Sequence, residues 1–376
     1  MSERILALVD GEHYLPVTRA ALEALAAARG GRVVAALFVG GTEKIGDPSD
    51  LASLGVEVAR PDDVLAGLAG AIDRFRPDVV FDLSDEPVLG YRERFRIASV
   101  VLERGVRYEG ADFAFAPPER PHLSRVPSVV VAGTGKRVGK TAVAAYVARV
   151  LSGRLGPVEP VHRPVMITMG RGGPPEPVVV RGDRLEMTAD YLIARADEGA
   201  HAASDHYEDA CMTRLPVVGC RRAGGGMAGV VYHSTVPAGA EVAASLGGDL
   251  HIYEGSGSTL PPAAGDAQLM VVGAHQPIDY LTGYLGPFRV ATSDVVFLTM
   301  CEEPMAGPAD VEARRRALLD LKPDLVVVRI VFRPRPLGDL MGRTIVYAST
   351  ACVTDEEAKQ QYQHSLKELH QEVLNR

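Results

Sequence analysis

The sequence predicts an α/β protein built on two mostly parallel sheets, the first Rossmann-like and the second organised around a phosphate-binding loop. Three observations carry this expectation. Short apolar runs alternate with helical periodicity through the first third of the chain, as in βα units feeding a parallel sheet. The stretch VVVAGTGKRVGKTA (129–142) joins an apolar run to a helix-forming segment through a Gly-rich turn. Beyond it, polar Gly- and Arg-bearing loops follow further apolar runs, where ligands bind in open α/β sheets.

In chain order, RILALVD (4–10) reads as a buried strand, PVTRAALEALAAAR (16–29) as a helix and RVVAALFVG (32–40) as a second strand. DDVLAGLAGAIDRF (62–75) is a helix and DVVFDLSD (78–85) a third strand. These define an N-terminal α/β domain over 1–118. The Pro-rich, polar segment that follows reads as a linker over 119–128. A second α/β domain over 129–350 has expected strands at 129–133, 164–169, 216–219, 249–254, 268–273, 294–300 and 325–331. The segment 351–376 holds four of the six glutamines and the only Asn, and reads as a solvated helical tail.

Composition narrows the function. The 376 residues suffice for two or three domains with a real core. The net charge of −8 speaks against a nucleic-acid surface. No apolar run reaches membrane-spanning length and the N-terminus enters a strand at once, so a cytoplasmic location is expected, with no membrane partner. Cys211, Cys220, Cys301 and Cys352 show no metal-ligand spacing. Only six basic residues are lysines, and two of them, Lys136 and Lys140, lie in the Gly-rich turn. Arginines sit beside glycines in other loops, and their forked donors suit a polyanionic small substrate.

A strand at 129–133 leading into a helix at 140–151 is the context of a P-loop NTPase domain. Glycines let backbone amides converge on phosphates and the helix N-terminus adds its dipole. The cradle runs through Gly133, Thr134, Gly135, Lys136, Val138, Gly139, Lys140, Thr141 and Ala142. Lys140 would reach the outer phosphates and the Thr141 hydroxyl would take Mg²⁺. The spacing is unusual, however: Gly133 stands one residue further from Gly139 than in an ordinary loop of this kind, and Lys136 occupies the interior.

This lengthened loop resembles that of dethiobiotin synthetase and its relatives, which activate carboxylates or carbamates by phosphorylation. HRPV (162–165) and YEGSGSTLPP (253–262) match two more of their motifs. That resemblance implies Mg²⁺ binding by Glu254 beside Thr141. Five further motifs lie outside it: MGRGGPPEP (169–177), EGAHAASDHYEDA (198–210), VGCRRAGGGMAG (218–229), TMCEEPM (299–305) and VFRPRPLG (331–338). With the loop, this ordered set resembles the cyclic 2,3-diphosphoglycerate synthetase family over roughly residues 1–350. The tail after residue 350 departs from the family, whose members continue with a further segment.

The resemblance implies an ATP- and Mg²⁺-dependent ligase that closes 2,3-bisphosphoglycerate into a cyclic pyrophosphate, with K⁺ assistance left open. Such a substrate needs cations, and the motifs offer Arg171, Arg221, Arg222, Arg333 and Arg335, with His201 and Asp205 as further substrate residues. Lys140, Lys136, Arg221 and Arg222 are the expected catalytic groups. Adjacent arginines beside three glycines at 221–226 suit an anion nest. His201 and Asp205, and Asp205 and Asp209, are spaced to share a helix face and could equally hold a metal, orient substrate or move a proton. Asp10, His13 and Asp85 are candidates for the substrate side of an interdomain cleft, or serve only turns and caps. Glu302 and Glu303 follow an apolar strand and offer one carboxylate to a metal or a ribose. Two rival readings remain: a dethiobiotin-synthetase-like carboxylate or carbamate ligase, and a nucleotide switch or metal-delivery protein acting across a dimer. A homodimer is expected from the loop class.

Overall fold

The computed structural model describes residues 2–45, 48–200 and 204–333. The expectations for His201, Arg335, Cys352 and the 351–376 tail lie outside the described residues.

The N-terminal unit contains β1 (Arg4–Val9), α1 (Leu15–Arg29), β2 (Arg32–Phe38), β3 (Val58–Ala59), α2 (Val64–Phe75), β4 (Val79–Asp82), α3 (Tyr91–Glu103), β5 (Arg107–Glu109) and β6 (Ala114–Phe115). Its strands run in the order β3-β2-β1-β4-β5-β6, parallel except for β6. This is the Rossmann-like sheet expected from the alternating pattern. The helix boundaries have local causes. Asp63 caps α2 by accepting from the amides of Leu65 and Ala66. Gly30 closes α1 in the left-handed conformation, φ 56°.

The second unit contains β7 (Ser128–Gly133), α4 (Lys140–Leu151), β8 (Pro164–Gly170), β9 (Val178–Arg181), α5 (Ala189–Asp197), α6 (Asp205–Thr213), β10 (Pro216–Ala223), β11 (His233–Ser234), α7 (Val236–Ser245), β12 (Leu250–Glu254), β13 (Ala267–Gly273), α8 (Asp279–Thr282), α9 (Gly286–Ala291), β14 (Val295–Thr299), α10 (Pro308–Leu321) and β15 (Val326–Arg329). The strand order is β11-β10-β8-β12-β7-β13-β14-β15, with β9 also pairing with β10. Only β9 and β11 are antiparallel to their neighbours. Strand β7 lies between β12 and β13, so the loop at its carboxyl end is bordered by the loops that follow both. The central strands are buried and mostly apolar because helices cover both faces.

The two units share a core. Helix α3 packs on α9, and Ile97 and Val101 belong to the same buried cluster as Leu285, Phe288 and Leu260. Phe95 meets Tyr284 edge-on at 5.3 Å between ring centres. The segment between the sheets is docked along its length. Arg120 donates to the carbonyls of Pro261 and Ala263, and the Ser124 hydroxyl contacts the His251 ring and the Tyr253 hydroxyl at 2.7 Å each. A Pro-rich composition conceals this anchoring, because the partners are backbone carbonyls and distant side chains.

Candidate active site

The Gly133–Thr141 loop turns sharply at the end of β7. Arg137 has φ 59° and Gly139 φ 85°. Gly139 precedes α4, which has no side-chain cap and no acidic residue in its first turn. Its first amides are therefore open to an anion rather than to the protein. The loop is held from beneath: the Thr134 amide donates to the Val271 carbonyl at 3.0 Å, and the Thr299 hydroxyl to the Val138 carbonyl at 2.8 Å. Phe332 lies against Gly139, where a Cβ would strike its ring.

Lys140 is 9% exposed and its ammonium donates to the Gly135 carbonyl at 2.8 Å. Burial lowers its pKa, opposed by the charges of Glu254 and Asp205. The Thr141 hydroxyl donates to Glu254 Oε1 at 2.9 Å. Glu254 ends β12 at 2% exposure, and burial pushes its carboxyl up to about 6. Among the described residues its Oε2 meets no amide, alcohol hydroxyl or cation, and a hydrogen bond shared with the Asp209 carboxyl works against the effect of burial. Behind it stands Asp209 on α6, fully buried, accepting from the Thr168 hydroxyl at 2.5 Å. Burial and the neighbouring Glu254 charge hold the Asp209 carboxyl well above the usual range. Thr141 and Glu254 thus form an oxygen donor set beside the loop, backed by a buried carboxyl pair whose charge a hard cation would neutralise.

Lys140, Thr141 and Glu254 line a cavity of about 490 Å³ together with Lys136, Arg137, Arg171, Ser204, Asp205 and Glu208. Arg222 is not itself a lining residue but touches one, donating to the carbonyls of Gly224 and of the lining Ser256 at 3.0 Å each. Among the described residues its buried Nε has no partner. Arg171 and Arg222 converge on Gly257, φ 63°, where a Cβ would collide with the Arg171 guanidinium and stand 3.2 Å from Arg222 Nη2. Burial lowers the Arg222 pKa, and the Arg171 charge lowers it further. Asp205, at the start of α6, is raised by burial and pulled down by Lys140, Arg171, Lys136 and Arg222.

Not every expected residue reaches this cavity. Arg221 alternates to the other side of β10, where its guanidinium donates to the Gly173 carbonyl at 3.1–3.2 Å; it is not among the lining residues. Arg333 pairs with Glu302 through Nη2 and Oε2 at 2.7 Å. His206 is 4% exposed and packed on Gly219, and burial pushes its pKa down to about 4. Glu303 is exposed. In the N-terminal unit Asp10 is buried, accepting from the Glu12 amide at 3.1 Å, His13 Nδ1 at 2.8 Å and the Asp85 amide at 2.6 Å. Its contacts close the turn after β1 and tie it to the loop after β4, and none of Asp10, His13 and Asp85 lines the cavity described.

Sequence reasoning passed over Ser204, whose buried hydroxyl has no partner among the described residues, and Phe332. Both lie inside quoted motifs, but as an ordinary serine and an apolar residue they carried no chemical signal of their own. Phe332 acts through Gly139, far away in the chain.

Comparison with known proteins gives the family. The model of the cyclic 2,3-diphosphoglycerate synthetase N-terminal domain matches residues 4–116, and that of the P-loop domain of the same synthetase matches residues 128–331. A protein of that name from Rubrobacter xylanophilus is 49% identical over 93% of this chain and 77% of its own length. Its namesakes from Methanothermobacter thermautotrophicus and Methanothermus fervidus are 46% and 44% identical, each over 93% of this chain and 76% of their own. Among solved structures, the hydrogenase maturation factor HypB from Archaeoglobus fulgidus aligns with 55% of this chain and 81% of its own at 11% identity, with a TM-score of 0.33. With two matched domain models and relatives at this identity, the chain belongs to the cyclic 2,3-diphosphoglycerate synthetase family.

Proposed function

We propose that this chain is an enzyme that binds ATP on the 133–141 loop and uses it to close 2,3-bisphosphoglycerate into a cyclic pyrophosphate. The observation that carries the reading is a cavity lined by Lys140 and Arg171, with Arg222 beside Arg171 at the lining residue Gly257. Two guanidinium groups placed side by side repel each other and suit a densely anionic ligand that neutralises both.

The chemistry explains the need for ATP. One phosphate of the substrate cannot displace oxide from the other. Transfer of the γ-phosphoryl group to a substrate phosphate breaks the bond to ADP and converts that oxide into a good leaving group. Attack by an oxygen of the second phosphate then forms the ring anhydride and expels orthophosphate. Atoms and charge balance with ADP and phosphate as co-products. The protein's part is to hold like charges together in line, the largest demand of phosphoryl transfer. Lys140 serves the nucleotide phosphates, and Arg171 and Arg222 hold the bisphosphate. Asp205, set among these cations, keeps them oriented before substrate arrives. Thr141 and Glu254 would hold Mg²⁺, which supplies charge neutralisation on the nucleotide when bound. A homodimer belongs to the same reading and is checked by light scattering.

The test is phosphorus NMR of the protein with Mg-ATP and 2,3-bisphosphoglycerate. The expected result is a pair of pyrophosphate-type resonances from a product without adenine, with ADP and orthophosphate appearing in step. ATP turnover that ignores bisphosphoglycerate would overturn the substrate and favour a carboxylate ligase.

A further inference from the structure

The segment VVGAHQP (271–277), which ends β13 and leads to α8, contains a side chain not yet given a role. Gln276 is 9% exposed and held from several sides. Its Oε1 accepts from the Thr134 hydroxyl, and the Gly273 amide points at the same oxygen from 3.4 Å. Its main-chain carbonyl accepts from Arg314 Nε at 3.3 Å and Nη2 at 3.0 Å. Arg314, on α10, is tied in turn to Asp310 at 2.7 Å.

With Oε1 engaged, the orientation of the amide is set. Its nitrogen is directed at Gly135, and Nε2 stands 2.9 Å from the point a Gly135 Cβ would occupy. A side chain at 135 would therefore displace it, which gives the loop a second reason for glycine beyond backbone approach to phosphate. Among the described residues Nε2 has no acceptor. An amide pinned through its oxygen and open at its nitrogen is a fixed neutral donor. It stands beside Gly135, the residue whose carbonyl holds the Lys140 ammonium.

We propose that Gln276 is a catalytic residue that donates through Nε2 to the terminal phosphoryl group of a nucleotide held over Gly135. Thr134 and Arg314 act as its positioning residues. The proposal rests on the ATP reading above. In phosphoryl transfer negative charge spreads over the equatorial oxygens of the moving group, and a donor already oriented there costs no reorganisation as that charge develops. Lys140 approaches Gly135 from its carbonyl, and Gln276 approaches from its α-carbon.

The test separates ground-state from transition-state binding without turnover. Wild type, Gln276→Ala and Gln276→Glu are titrated with Mg-ADP alone and with Mg-ADP plus aluminium fluoride, which mimics the phosphoryl group in flight. For Gln276→Ala, Mg-ADP affinity should stay within about twofold, while the gain conferred by aluminium fluoride falls about 10- to 100-fold, the worth of one hydrogen bond to a charged group. Gln276→Glu keeps the shape but replaces the donor with a carboxylate, and should lose more of that gain. Thr134→Val should lose part of it and Thr134→Ser should keep it. An undiminished gain in both Gln276 variants overturns the proposal, as does an equal loss of Mg-ADP affinity, which would make Gln276 merely structural. Failure of wild type to bind Mg-ADP would instead overturn the ATP reading, and this proposal with it.

Discussion

Thr141 donates its hydroxyl to Glu254 at 2.9 Å, joining the start of α4 to the end of β12 across the mouth of the phosphate loop. The carboxylate on the receiving side is buried, raised to about 6, and shares a hydrogen bond with the Asp209 carboxyl rather than with a cation. Unpaired buried charge is costly, and it persists where a ligand is to complete it. The expected consequence is a separation of stability from function. Glu254→Gln should weaken Mg-ATP binding by about 10- to 100-fold, by analogy with other losses at metal sites. The melting temperature of the ligand-free protein should hold or rise, since the variant buries no charge. Titration of nucleotide with and without Mg²⁺, beside thermal melts, checks both; a fall in ligand-free stability would mean Glu254 is there for the fold.

Arg221 and Arg222 are neighbours with opposite duties. Arg222 meets Arg171 at Gly257, while Arg221 braces the Gly173 carbonyl on the other side of the strand. Arg222→Ala and Arg171→Ala should each raise KM for bisphosphoglycerate by about 10- to 100-fold, the range of a charge-assisted hydrogen bond at about 1.5–3 kcal/mol. Nucleotide affinity should change far less. Arg221→Ala should lower the melting temperature and leave KM nearly unchanged. Steady-state kinetics on the three variants decide the matter, and a KM effect largest at Arg221 would reverse these assignments.

That pair shows where reading the sequence ran out. The loop, the strand carrying Glu254 and the order of βα units were legible because each is a local pattern: an apolar run, glycines, then a helix. Alternation along β10 decides which of two adjacent arginines faces the cavity, and the register of that strand against β8 is a long-range fact. In the same way the motif at 198–210 offered several carboxylates, and only the fold shows that Asp205 lines the cavity while Asp209 is buried behind Glu254. Gln276 and Phe332 were invisible for a related reason. Their partners, Thr134 and Gly139, lie well over a hundred positions away.

His206 supplies a prediction about acid. Its neighbour Asp205 lines the cavity, but the imidazole is packed inward on Gly219 and Tyr207. Burial lowers its pKa to about 4, against 6.5 for an exposed ring. The unfolded chain therefore takes up the proton first as pH falls. The stability associated with the neutral ring is intact above about 6.5 and is lost as pH falls through about 4, amounting to about 2–4 kcal/mol. In His206→Leu that part of the acid slope should vanish. Urea unfolding at pH 7 and pH 4.5 would show it as a narrower gap between midpoints in the variant. An unchanged gap would place the acid sensitivity elsewhere.

Gly139 is constrained twice over, which makes its replacement separable into parts. Its φ of 85° is strained for any other residue, at a cost of about 1–2 kcal/mol, and a Cβ would also strike the Phe332 ring. Gly139→Ala should thus destabilise the protein by more than the backbone term alone and weaken nucleotide binding, since the α4 amides follow directly. Adding Phe332→Ala removes the collision but not the backbone strain. The double variant should therefore recover part of the lost stability relative to Gly139→Ala, against the loss that Phe332→Ala causes by itself. A double-mutant cycle in melting temperature reads this coupling. If the two effects simply add, Phe332 does not press on the loop, and the contact between the segment after β15 and the phosphate cradle carries no energy.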